Sequence, residues 1–99
     1  MRMIRRYKVD FRDQDLADVK VYSGHVVTVD TYEPFVFWVW LMVDTEVEGQ
    51  VWTFRFIRDN WPVPDDFEQR WLHLFSDTSN SNEAIHLYLK QVQPFGSVT

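Results

Sequence analysis

The chain contains no cysteine, which removes disulfide staples and thiolate zinc sites and leaves the redox compartment unmarked. Only three glycines occur in 99 residues, and no phosphate-cradling glycine loop of either common type is present. Cations are in deficit: ten Lys and Arg face fifteen Asp and Glu, a formal charge of −5. That balance argues against a general nucleic-acid binder, because neutralising phosphates is the main sequence-independent source of affinity. The four cations Arg2, Arg5, Arg6 and Lys8 form the sole local basic cluster, read here as a solvated end. Long apolar runs are missing too. The longest, Phe35 to Val43, has nine residues against the roughly 20 that a spanning helix needs. The basic start, Met1 to Arg6, is followed by Tyr7-Lys8-Val9-Asp10 rather than by the apolar stretch of a signal peptide, so neither secretion nor a membrane span is expected.

Aromatic residues are abundant: eight Phe, five Trp and four Tyr make up 17% of the chain. A domain this small has little volume in which to build a core, and large side chains fill it with few residues. Helical periodicity is nearly absent. Short β-branched and aromatic stretches recur between turn residues, and the pattern predicts a single all-β domain over residues 1–99, a small antiparallel sandwich or partly open barrel of six to seven strands.

The expected strands are 5–11, 19–22, 25–32, 35–43, 50–57, 70–75 and 84–92. Ser23-Gly24 reads as a hairpin turn with Gly24 at positive φ, and Asp44 to Gly49 as a hairpin loop pairing the strands on either side of it. The 35–43 strand is apolar on both faces, so it is either central in two layers or offers a face to a partner. Trp61-Pro62-Val63-Pro64 should be extended, residues 65–69 should form at most one helical turn, 76–83 a mobile polar loop and 94–99 a frayed tail.

Catalytic motifs are not evident. No serine lies in a nucleophile-elbow sequence, the Asp13-x-Asp15-x-x-Asp18 run lacks the later residues of a calcium loop, and His25, His73 and His86 fall on separate strands without metal-ligand spacing. The chain therefore reads as a non-enzyme with no cofactor and no metal. Candidate binding residues are Trp38 and Trp40 on the doubly apolar strand, Asp44 at its end, Arg55 on a mostly apolar strand face, the segment carrying Trp61, Pro62 and Pro64, and His86. Arg55 near Trp61 would make a platform for an anion or a nucleobase; pairing of Arg55 with Asp44 or Asp59 is the alternative.

Taken in order, Ser23-Gly24-His25-Val26-Val27-Thr28-Val29, Trp40-Leu41-Met42-Val43-Asp44, Arg55-Phe56-Ile57, Pro62-Val63-Pro64 and Ile85-His86-Leu87 resemble the motifs of an uncharacterised family of small bacteriophage and prophage proteins. The resemblance spans roughly residues 7–90. It departs where Val21-Tyr22-Ser23 replaces a proline before Gly24, where Arg58-Asp59-Asn60-Trp61 replaces a glycine-rich turn, and where Ile85 replaces a tryptophan. It implies a viral source and expression in the cytoplasm of an infected bacterium, and no activity. The function expected is that of an accessory protein binding and modulating a host protein, a basic one if the acidic loops at 44–48 and 65–68 steer it, with homodimer or higher oligomer formation. The alternatives are an oligomeric sponge for a host nucleotide signal and a minor virion component.

Overall fold

The computed structural model describes residues 1–79 and 83–91. Of the described residues 64% are strand, and they form two antiparallel sheets with no closed barrel among them. Strands β1 (Arg2–Asp10), β3 (Gly24–Glu33) and β4 (Val36–Asp44) make a three-stranded sheet in the order β1-β4-β3. Strands β2 (Leu16–Val21), β5 (Gln50–Arg58), β6 (Trp71–Asp77) and β7 (Ile85–Lys90) make a four-stranded sheet in the order β2-β5-β7-β6. One helical turn, α1 (Phe67–Arg70), precedes β6, as the acids around it suggest. No helix among the described residues is long and apolar enough to cross a membrane.

The two sheets share one core. Period-two alternation sends Val9, Phe37, Val39, Leu41 and Val43 inward from the first sheet, and Ala17, Val21, Phe54, Phe56 and Leu87 inward from the second. The Phe37 ring joins the layers, lying 6.2 Å from the rings of both Phe56 and Phe75. Phe11, just beyond β1, stacks on Phe56 at 5.5 Å. β4 is the central strand of its sheet, and its other face, Trp38, Trp40 and Met42, is only half covered.

Three expectations are corrected. Asp44 to Gly49 is not a hairpin loop: it carries the chain from one sheet to the other, and β4 and β5 do not pair. Both edges of β4 are already taken, by β1 along nine residue pairs and by β3. Alternation specifies which face of a strand is buried but not which strand lies beside it, so the same pattern serves a hairpin and a change of sheet.

Ser23-Gly24 likewise links β2 to β3 in the opposite sheet, and Gly24 does not have positive φ. It is needed for space, since a Cβ there would overlap the Met42 carbonyl. Phe35 is not a strand residue. With φ 65° it follows Pro34 in the β3–β4 turn, the order of a proline and a left-handed residue that type II turns use. The expected 94–99 tail and residues 80–82 of the 76–83 loop lie outside the described residues.

Candidate functional site

The outer face of the four-stranded sheet is the most elaborated surface of the fold. Strand register aligns Arg55 with Tyr88 and Ile57 with His86 across β5 and β7, and His73 with Tyr88 and Ser76 with His86 across β6 and β7. α1 lies over this face. Its Phe67 is buried, with its ring 4.8 Å from Tyr88 and 6.1 Å from Trp71. The Arg55 guanidinium sits 5.5 Å from the ring centres of both Phe67 and Trp71. Arg55 therefore stacks on Trp71 and Phe67 rather than on Trp61, and no ion pair joins it to Asp44 or Asp59.

Along the rim of this face four polar side chains form a continuous hydrogen-bonded chain. Asp59 Oδ1 lies 2.9 Å from His86 Nε2, His86 Nδ1 lies 2.7 Å from Ser76 Oγ, and Ser76 Oγ lies 2.7 Å from His73 Nε2. Asp59 is pinned at the start of β7, because its Oδ2 accepts the Ala84 backbone N–H at 2.8 Å. That bond, and next the one from His86, lowers the carboxyl below its ordinary value, so Asp59 is an anion at neutral pH. An ionised carboxylate only accepts, so His86 Nε2 carries a proton; with His86 neutral, Nδ1 accepts the Ser76 hydroxyl proton, and Ser76 Oγ accepts from His73 Nε2–H. One direction of donation thus satisfies the whole chain.

Of these four residues the sequence singled out His86 as a binding candidate. Ser76 and His73 are three apart, which places them on opposite faces of a regular strand. A β-bulge between His73 and Phe75 adds one residue to β6 and brings both to the outer face. Asp59 comes from the break after β5, which alternation does not describe. The one sequence signal was indirect: a serine flanked by histidines on neighbouring predicted strands.

Beside the chain a recess of about 460 Å³ is lined by His86, Asp59, Tyr88, Trp61, Val63, Pro64, Phe67, Asp65 and Glu68, among others. The recess brings together Trp61, Pro64 and His86, whereas Arg55, expected near Trp61, does not line it and Pro62 is exposed on the same extended segment. The electrostatics run against a nucleotide. Three carboxylates line the recess, and its one arginine, Arg58, is held in a two-bond pair with Glu83 at 2.7 and 2.6 Å.

The remaining candidates lie on the other sheet. Trp38 and Trp40 project from its outer face, opposite Lys8 and Arg6 of β1, and the Arg6 guanidinium lies 4.3 Å from the Trp38 ring centre. Asp44, at the end of β4, faces the Met1 ammonium at 3.4 Å. Among the described residues no group of three or more His, Asp or Glu side chains has the geometry to hold a metal.

No curated protein and no solved structure matches the chain. A family model described as a domain of unknown function, DUF7352, matches residues 1–95, and the chain belongs to that family.

Proposed function

We propose that the protein is a bacteriophage accessory protein that acts by binding, in the cytoplasm of an infected bacterium, and that it docks a host protein on the outer face of its three-stranded sheet. The observation that carries this is β4. It is apolar on both faces, its inner face is the core, and its outer face presents Trp38, Trp40 and Met42, with exposed Ile4 beside them on β1. Among the described residues no other element packs over it. Tryptophans on an open face, ringed by polar groups, are the side chains that most often dominate binding energy. The viral source rests on the ordered motifs from Ser23 to Leu87.

The charges on this face define the partner. Arg6 and Lys8 stand opposite Trp40 and Trp38 on the β1 side and Asp30 opposite Trp38 on the β3 side, so the complementary surface is apolar with acidic groups along β1, rather than the uniformly basic surface that the acidic loops alone suggest. Asp44 and Glu46, in the first of those loops, both face the Met1 ammonium.

Trp40→Glu places a charge at the centre of the face without entering the core. The wild-type protein and a Val63→Glu variant, altered on the other face, should retain the same host protein from a lysate, and Trp40→Glu should release it. Native mass spectrometry gives the competing outcomes. A dimer that Trp40→Glu dissolves would make the face a self-association surface, and stoichiometric recovery from purified particles would make the protein a virion component; either overturns the reading.

A further inference from the structure

We propose that Ser76 is an activated nucleophile, which takes the acyl group from an uncharged carboxylic ester bound in the adjoining recess. This goes beyond docking on the opposite face and does not depend on it. Three features of the site support it.

The first is the base. His86 Nδ1 stands 2.7 Å from Ser76 Oγ, and the other ring nitrogen is held 2.9 Å from Asp59, so one imidazole is both oriented and within reach of the hydroxyl proton. That is the arrangement nucleophilic catalysis requires, with the two ring nitrogens in exchanged roles. The second is His73, whose Nε2 lies 2.7 Å from the same oxygen, where its N–H holds the hydroxyl aimed at His86. His73 and Asp59 are positioning residues.

The third is the recess, which begins at His86 itself. Its Trp61, Tyr88 and Phe67 walls suit an aryl or short acyl group, and Asp59, Asp65 and Glu68 disfavour an anionic substrate. In the step, the Ser76 Oγ–carbonyl bond forms as the proton passes to His86 Nδ1. The bond from the carbonyl carbon to the leaving oxygen then breaks, and that oxygen takes the proton from His86. Water, deprotonated by His86, returns the acyl group as a carboxylic acid and restores the hydroxyl.

The test uses the full chain and p-nitrophenyl acetate. The expected result is p-nitrophenol release with one acetyl group on the peptide carrying Ser76, and loss of that adduct in Ser76→Ala. His86→Gln should slow acylation by about 10²-fold or more, the range for a general base, with far-ultraviolet circular dichroism unchanged. Asp59→Asn should shift the pH profile of acylation without removing the adduct, which a purely structural role would not do; His86→Asn is the second variant should His86→Gln fail to fold. Release at the same rate in Ser76→Ala, or acetyl groups spread over lysines and histidines with none enriched at Ser76, would overturn the proposal. Binding of a host protein by Trp38 and Trp40 would be untouched by either result.

Discussion

Single residues set the local chemistry at two places that have nothing to do with each other. Asp10 is held by the Arg12 side chain and by the Arg12 backbone N–H at 2.9 Å, and the pair lowers its carboxyl from 3.8 to about 2. A depressed carboxyl contributes stability that is complete above its ordinary value and is lost as pH falls through the depressed one, here between about 4 and about 2. Carbon-detected NMR of the Asp10 carboxyl should give a midpoint near 2, returning toward 3.8 in Arg12→Ala; an unchanged midpoint would show that the arginine is not the cause. Gly24 acts through space instead. It opens β3 opposite Val43, and a Cβ there would run into backbone, which cannot rotate away. Gly24→Ala should cost about 1–3 kcal/mol, the range for overpacking, read as a lower denaturation midpoint. Gly49→Ala, whose Cβ would lie 2.6 Å from the Val21 carbonyl oxygen, should behave in the same way.

At the scale of elements, the bulge in β6 does two jobs. The extra residue is Leu74, and with it both Leu74 and Phe75 pack against the core while His73 and Ser76 share the outer face. Deleting Leu74 should leave a regular strand in which His73 and Ser76 keep their cross-strand partners Tyr88 and His86. The loss is one half-buried leucine, about 2 kcal/mol or somewhat more. Imidazole nitrogen shifts measured by NMR should therefore stay near those of the parent protein while stability drops; shifts that move to those of free histidine would mean that the bulge itself builds the polar chain. This element also marks where the sequence stopped being readable. Alternation marks seven strands and groups Tyr7 with Val9, Trp52 with Phe54 and Phe56, and Ile85 with Leu87 and Leu89 on single faces, because burial on one face leaves a period of two. It does not show the bulge, since one inserted residue is indistinguishable from a strand end, and so the expected strand stops at Phe75 and Ser76 falls in the 76–83 loop, whereas β6 runs on to Asp77. Nor did it give strand neighbours. The polar, glycine-ended stretch from Asp44 to Gly49 has the composition of a hairpin loop and makes a crossing between sheets. Trp61, Pro64 and His86 were each legible as binding candidates, the first two on a segment whose course prolines fix, whereas Asp59 was not, its role depending on where β7 begins.

For the molecule as a whole, the decisive fact is that neither sheet can be completed from neighbouring strands. Among the described residues only β3–β4 and β6–β7 join strands adjacent in sequence; β1–β4, β2–β5 and β5–β7 each close a longer loop. The entropy of those closures is incurred before the shared core compensates it, which places refolding in the milliseconds-to-seconds range of β-sandwiches. Phe37 makes the two sheets interdependent, since one ring from the first sheet touches Phe56 and Phe75 of the second and Phe11 at the end of β1. Phe37→Ala should cost about 3–5 kcal/mol and should weaken both layers together. Trp38 and Trp40 report on one sheet and Trp52 on the other, so tryptophan emission and far-ultraviolet circular dichroism should trace one coincident denaturation curve in the parent protein. In the Phe37→Ala variant the two signals should still coincide at a lower midpoint. If they separate instead, each sheet has its own stability, and the aromatic contacts across the core are not what couples them.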